Sequence, residues 1–435
     1  MRARRRETPA TFILRYKAVT VSTAPVLASR ILAILHEAGH TAYLVGGCVR
    51  DLLLDRAPKD FDVATSARPD ELLRLFPGSG LVGAHFGVVL VKEDGAGTAA
   101  VEVATFRSDH VYRDGRRPEG VTFEMDPRED ARRRDFTINA MMMDPRSGAV
   151  LDYVGGRADL QARVIRTVGD AMARFGEDHL RLLRAVRFAA RLGFEIEADT
   201  FEAMRALAGR VRTVSTERVR EELVRILTEG GARRGVELLA EAGLLAEVTP
   251  EVVVTPEMLG MLSGLARGCG ITLAMAVLLY GVAQPAAVLE RLRFSNDAIA
   301  RVGSLVAGQR RFPELHAMGE SELKRFLRGD WFDEQLELYR LHGEATGLGR
   351  EHYAFARHRL KRYSREDLFP ARLLTGDDLI ALGMAPGPEF GRLLDALETA
   401  QLEGRVTTRD QALALVRASN DGSASEATGT GGRAL

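Results

Sequence analysis

The chain has 435 residues, 46% hydrophobic and 28% charged, with 60 basic and 60 acidic side chains that cancel to a net charge of zero. This is the composition of water-soluble globular domains, and the length suits roughly two to four of them. No apolar run is long enough to cross a bilayer, the separated Cys48 and Cys269 form no metal-type cluster and suit a reducing cytoplasm, and zero net charge still allows a local basic patch for nucleic acid.

Residues 1–22 open with MRARRRETPA, which is basic but lacks the apolar core of a signal peptide, so a disordered basic extension is expected. Ser22 or Thr23 caps a helix predicted to run to about Gly39. A short strand (Tyr43, Leu44, Val45) ends at Gly46-Gly47, where a helix carrying Arg50 and Asp51 starts. Pro58-Lys59 breaks that helix, and a second strand carries Asp60 and Asp62 at alternate positions. After a helix over 68–76, HFGVVLVKEDG and TAAVEVATFR read as a β-hairpin, with Glu102 and Ala104 on one face and Val101, Val103 and Thr105 on the other. Residues 107–120 are polar and turn-rich, which predicts a mobile loop, and VTFEM is a short strand. REDARRRDFTINAMMMD is predicted helical, followed by a hairpin-like GAVLDYVGG and a short RVIRTV strand.

From Asp170 onward helical periodicity is almost continuous. The shift near 168 is the clearest domain boundary. The expected fold class is α+β, with a small mixed or antiparallel sheet first and an all-helical remainder. Further breaks fall near 267–270, 283–285 and 364–374, and residues 419–435 have a disordered-linker composition.

Four residue sets carry chemistry. Strand residues i and i+2 share a face, so Asp60 and Asp62 present two carboxylates side by side. Such a pair suits Mg²⁺, which takes one or two carboxylates plus substrate phosphates. A lone Asp-x-Asp is often a solvated acid pair; preceded by Gly-Gly-x-Val-Arg-Asp it becomes specific. Glu102, a charge mid-strand among apolar residues, is the candidate third carboxylate of a two-metal scheme. Gly46 and Gly47 let the backbone approach phosphate oxygens, free amides at the helix start favour a polyphosphate, and Arg50 reaches the same phosphates or the ribose.

The third set is ARRRDFTINA. Three consecutive helical arginines point about 100° apart, so Arg134 is assigned to the nucleotide and Arg132 and Arg133 to solvent or RNA phosphate. The fourth set is Asp178 and Arg181, adjacent on one helix surface. They form either a salt bridge or a base reader. An acceptor carboxylate beside a donor guanidinium matches cytosine (N4 amino, N3) and adenine (N6 amino, N1), whereas uracil and guanine oppose a carbonyl to the carboxylate. Arg184 and Arg187 continue the ridge and are assigned to phosphate or to orienting Asp178.

YLVGGCVRDLLLDRAPKDFDVAT, RRRDFTINAM and EDHLRLLRAVRFAARLGF, in this order and spacing, resemble the bacterial tRNA nucleotidyltransferase (CCA-adding enzyme) and poly(A) polymerase family, the second class of polymerase-β-like nucleotidyltransferases. The resemblance is specific over residues 40–230 and weaker beyond, although LLTGDDLIALGMAPGPEFG resembles the tail of some members. It implies a catalytic nucleotidyltransferase head (23–168), a base-reading helical neck (169–230), a helical body (231–365) and a tRNA-binding helical tail (366–418). It implies metal binding by Asp60 and Asp62, triphosphate contact by Gly47 and Arg50, nucleotide contact by Arg134, Arg184 and Arg187, and selection of ATP and CTP by Asp178 and Arg181. Glu102 lies where the family places its third carboxylate, in a looser motif.

The implied activity is CCA addition to the tRNA 3′ end with Mg²⁺, in the cytoplasm. A poly(A) polymerase and partial enzymes adding only CC or only A remain as alternatives. In the family, loss of a flexible loop goes with CC-only addition; YRDGRRPEGVTF fills that place here. A catalytically silent RNA-binding relative is the non-enzyme alternative, and the intact acid pair and Asp178/Arg181 pair argue against it. Oligomeric state is not legible.

Overall fold

The computed structural model describes residues 24–82, 87–92, 100–109 and 120–427, with side chains described for 26–418 of these. The expected N-terminal extension, the cap at Ser22 or Thr23, most of the loop after Arg107 and residues 428–435 lie outside the described residues; the linker expected over 419–435 is helical up to Ala427, as the end of the helix Arg409–Ala427. Two compact units are present. The first takes the chain up to Val254, with Leu265–Cys269 and Ala287–Phe294; the second takes Thr255–Gly264, Gly270–Ala286 and Ser295 onward.

The first unit is built on a seven-stranded sheet. Its strands are β1 (Ala42–Val45), β2 (Asp62–Thr65), β3 (Gly80–Leu81), β4 (Val88–Lys92), β5 (Ala100–Thr105), β8 (Met142–Asp144) and β9 (Ala149–Leu151), in the order β3-β4-β5-β2-β1-β8-β9. Only β2 and β5 run parallel, so the sheet is mixed. Their register sets Asp62 opposite Glu102, and on the other side Asp62 opposes Val45. Thr105 Oγ1 donates to the Ala67 carbonyl at 2.7 Å and Phe106 N–H to Thr65 O at 2.7 Å, which clamps the two strands at their far ends.

Helix α1 (Ala24–Glu37) packs on β1, β2 and β5. It buries Leu27, Ala28, Ile31, Leu32 and Leu35, a stripe of helical period. Each of the leucine and isoleucine side chains contributes about 1.5–3 kcal/mol. Val45, Ala64, Phe106, Ala131 and Met142 form a second small core, with Tyr43 stacked on Phe106 at 6.3 Å.

Three local expectations change. The predicted helix over REDARRRDFTINAMMMD stops early: α4 covers Pro127–Arg132, a single 3₁₀ turn follows at Thr137–Asn139, and Met142, Met143 and Asp144 form β8 inside the sheet. A short apolar run fits a buried strand as well as a helix, and β1 supplies the open ladder. Arg107–Asp109 is a strand, β6, paired with β7 (Val121–Phe123), rather than loop. Asp60 lies outside β2, which begins at Asp62; its partner strand β1 ends at Val45, and Gly46 turns away.

Helices α2 (Gly47–Leu53), α5 (Gly156–Ala162), α6 (Ala171–Glu177), α7 (Arg181–Leu192), α8 (Ala198–Leu207), α9 (Thr216–Thr228) and α10 (Ala232–Glu241) complete the core of this unit. Helix α7 buries Leu182, Leu183, Ala185, Val186, Ala189 and Ala190 and packs on α9 and α10. A two-stranded parallel ladder joins β10 (Val164–Ile165) to β11 (Glu195–Ile196). The compositional shift near 168 therefore lies within the first unit.

The second unit is helical. Phe312 stacks on Tyr339 at 4.1 Å beside Phe326 and Phe332 in one core. Leu374, Leu379, Leu397, Ala400 and Val406 form another. Between α11 (Glu320–Leu327) and α14 (Pro388–Leu402), the buried Lys324 ammonium donates to the Leu402 carbonyl at 2.7 Å, closing the last turn of α14.

Candidate active site

A cleft of about 470 Å³ in the first unit is lined from the β1–α2 turn, the start of β2, residues 133–139 and the α6–α7–α9 region. Gly46 forms its floor with φ +76° and ψ −134°, a conformation essentially restricted to glycine. A Cβ there would stand 3.3 Å from Arg134 Nη1 and 3.9 Å from an Asp62 carboxylate oxygen. Gly47 and Arg50 follow in α2. Arg50 is not a surface residue; it is 2% exposed. It donates to Asp51 through Nε and Nη2 (2.9 and 2.7 Å) and through Nη1 to Asn139 Oδ1 at 2.7 Å.

Asp62 lines the cleft. Burial, then the facing Glu102, push its pKa up to about 6, with Arg134 opposing and Asp60 adding to the rise. The negative charge at this corner is thus incompletely balanced. Asp60 itself is exposed and Glu102 is solvent-facing on β5, and neither lines the cleft. Among the described residues no three His, Cys, Asp or Glu side chains converge as a metal cage. The donor set, hard carboxylate oxygens around an uncompensated charge, matches a divalent cation that also takes oxygens from its substrate.

Asp130, fully buried, holds two arginines of the RRRD run. Its Oδ1 accepts from Arg133 (2.9 and 2.5 Å) and its Oδ2 from Arg134 (3.2 and 2.9 Å). Both arginines line the cleft, so Arg133 faces the site rather than solvent, whereas Arg132 points out to solvent. The next residue, Asp135, accepts from Arg184 at 2.9 and 2.5 Å. Burial alone would raise the Asp135 pKa; Arg184 overrides it and holds the carboxyl at about 2.

Asp178 and Arg181 both line the cleft but do not pair. Asp178 lies between helices with extended backbone (φ −144°, ψ 105°), and Arg181 is the first residue of α7, so the helical i,i+3 geometry expected of them does not exist. Asp178 instead receives a bidentate fork from Arg218 of α9, and Arg181 pairs with Glu177 at 2.5 Å. Neither Arg184 nor Arg187 is hydrogen-bonded to Asp178: Arg184 holds Asp135 and feels the Asp178 charge only at longer range, and Arg187 is 6% exposed, outside the cleft lining, with Nε on Glu222 at 2.6 Å. The Arg187 guanidinium lies over the Phe188 ring at 4.4 Å, where Arg50 and Arg184 also approach.

The cleft lining thus joins Gly46, Gly47, Arg50, Asp62, Arg134, Asp178, Arg181 and Arg184, and leaves out Asp60, Glu102 and Arg187. Sequence reasoning missed Asp135, Asn139, Phe188 and Arg218. The first two had a local signal in RRRDFTIN. Arg218 had none, since it reaches Asp178 across 40 positions. All seven cleft arginines have a carboxylate within 4 Å, among them Arg191 with Glu229 at 3.3 Å.

Residues 42–166 match the family model described as the poly A polymerase head domain, and 193–254 match one described as a probable RNA and SrmB-binding site of polymerase A. A CCA-adding enzyme of Geobacillus thermodenitrificans is 48% identical over 214 residues, 49% of this chain and 52% of the relative, so that alignment spans about half of the relative's length. One from Levilactobacillus brevis is 34% identical over 399 residues, 89% of this chain and 96% of the relative. The fold matches a crystal structure of the Bacillus stearothermophilus CCA-adding enzyme in complex with CTP, with TM-score 0.75 and 31% identity, covering 92% of this chain and 98% of that one.

Proposed function

The chain belongs to the CCA-adding enzyme family, and from that premise we propose that it is a nucleotidyltransferase adding C, C and A to the 3′ end of tRNA from CTP and ATP, without a nucleic-acid template. One observation carries this: a single cleft holds Asp62 and the Gly46–Gly47 turn together with Asp178 and Arg181, more than a hundred positions later in the chain.

Asp62, with Asp60 from the preceding turn, would hold Mg²⁺, and Glu102 is the third carboxylate that sets the charge at this corner. Bound there, the ion supplies Lewis acidity to the attacking 3′ hydroxyl and to the leaving pyrophosphate. The chain's own residues do the rest. Gly46 keeps the cleft floor open, so triphosphate oxygens can approach the backbone beside Arg134. Arg50, fixed by Asp51 and Asn139, lies behind the same turn. Asp130 keeps Arg134 extended toward Asp62. At the other end, the Asp178 carboxylate accepts the amino group of cytosine or adenine, and Arg181 donates to the ring nitrogen beside it. Arg184 acts through Asp135, and Arg187 supports the wall behind Phe188.

The RNA partner needs cations that no neighbouring carboxylate neutralises. Helix α13 (Arg350–Arg362) exposes Arg350, Arg357 and Lys361 on one face. No carboxylate lies within 4.0 Å of them among the described residues. We assign this face, with the tail over 366–418, to tRNA phosphates. No helix among the described residues is long and apolar enough to cross a membrane, and the free thiols of Cys48 and Cys269 suit a cytoplasmic enzyme.

The test is incubation of the purified protein with Mg²⁺ and each nucleotide in turn, on tRNAs ending before the CCA, after C and after CC. Stepwise C, C, A addition is expected. Long A-tails on unrelated RNA would show a poly(A) polymerase instead, and absence of any incorporation overturns the enzyme assignment.

A further inference from the structure

Asp178 and Arg181 are oppositely charged, three residues apart and in one cleft, yet each is engaged elsewhere. Arg218 donates Nη1 to Asp178 Oδ1 at 3.2 Å and Nη2 to Oδ2 at 2.8 Å, and the Leu180 N–H adds a third bond to Oδ1 at 3.1 Å. Arg181 gives Nη1 to Glu177 (2.5 Å) and to the Arg174 carbonyl (2.8 Å), and Nη2 to the Arg133 carbonyl at 3.4 Å. A direct bridge between the two would satisfy both charges. It would also turn acceptor and donor toward each other and away from a bound base.

We propose that Arg218 is a specificity-determining positioning residue: its planar fork holds the Asp178 carboxylate away from Arg181, so that an acceptor and a donor both stay aimed at the base edge. This rests on Asp178 and Arg181 being the base-reading pair. A fork fixes the plane of a carboxylate, which a point-charge ammonium cannot do. Three features fit an orienting task. Arg218 lines the cleft itself. It comes from α9, outside the α6–α7 turn it controls. And α9 is fastened independently, through Glu222 on Arg187 at 2.6 Å and the buried Val219 and Leu223, so the fork is not needed to dock the helix.

With Arg218 replaced by glutamine, Asp178 swings onto Arg181. The carboxylate that repels the uracil carbonyl then leaves its place, and the donor that recognises cytosine is quenched. The experiment compares wild type, Arg218→Gln, Arg218→Lys and Asp178→Ala in single-nucleotide incorporation on tRNA lacking CCA, reading kcat and KM separately for CTP and UTP, with thermal unfolding alongside. For Arg218→Gln the KM for CTP should rise and the CTP-to-UTP ratio of kcat/KM should fall roughly tenfold or more, the lower end of what an unsatisfied buried donor or acceptor costs. Arg218→Lys, which keeps the charge and the fold but loses the fork, should fall between. An unchanged ratio in both Arg218 variants, with both nucleotides slowed equally, overturns the proposal. If Asp178→Ala loses the ratio in that same experiment, base reading by Asp178 stands without Arg218. If Asp178→Ala also keeps it, the base-reading assignment itself fails.

Discussion

Replacing Asp135 by asparagine preserves its shape and removes its charge. The carboxylate accepts from Arg184 Nε and Nη2 at 2.9 and 2.5 Å and from the Phe136 N–H at 2.8 Å. Burial pushes its pKa up, and Arg184 brings it down to about 2 from an ordinary 3.8. At about 1.36 kcal/mol per pKa unit, that gap is worth about 2.5 kcal/mol at neutral pH. Because the folded-state pKa is depressed, the stabilisation is complete well above pH 4 and is lost as pH falls toward 2. By the same linkage about half remains at pH 3. The variant also leaves Arg184, whose side chain is 31% exposed, with Glu222 at 3.9 Å as its next carboxylate, so water and Glu222 keep the loss below the cost of a fully buried broken pair. Urea unfolding followed by circular dichroism measures the wild-type-minus-variant difference at pH 7 and pH 3. A difference of about 2.5 kcal/mol or more at pH 7, shrinking at pH 3, is expected. A difference independent of pH, or one below about 0.5 kcal/mol at pH 7, refutes a charge-based role for this pair.

Gly46→Ala should destabilise the protein by about 1–3 kcal/mol through its backbone conformation alone, and should raise the KM for CTP by displacing Arg134; thermal unfolding and steady-state kinetics check both. Asp62→Ala should abolish nucleotide addition with an unchanged circular dichroism spectrum, and in the wild type Mg²⁺ affinity by calorimetry should weaken as pH falls through about 6, where Asp62 takes up a proton. The double change Arg357→Gln and Lys361→Gln should weaken tRNA binding and lower the slope of log affinity against log salt by roughly two, leaving the KM for CTP unmoved.

The backbone of this site is legible because its signals are local. A strand ending at Gly46-Gly47 and the alternation of β5 announce themselves within a few residues, and so does the placing of Asp62 and Glu102. Asp60 falls outside the expected strand because β1, the partner of β2, has already ended at Val45, although its charge still acts on Asp62. The Met141–Met143 run misleads because short apolar stretches have no decisive period. The larger difference lies in the pairing of charges. Spacing suggests Asp178 with Arg181, but a helix break between them transfers each to another residue, and Arg218 is brought in by packing of α9 on α7. No window of sequence contains that contact.

Asp62 and Glu102 face each other because β2 and β5 pair in parallel, although dozens of residues separate them in the chain. The connecting loops of that segment can lengthen or shorten without shifting either acid, provided the strands keep their alignment. A slip of one position in β5 has the opposite character. It would bring Val101 or Val103 beside Asp62 and rotate the glutamate through to the far side of the sheet. Indels are therefore tolerable between these strands and ruinous within them.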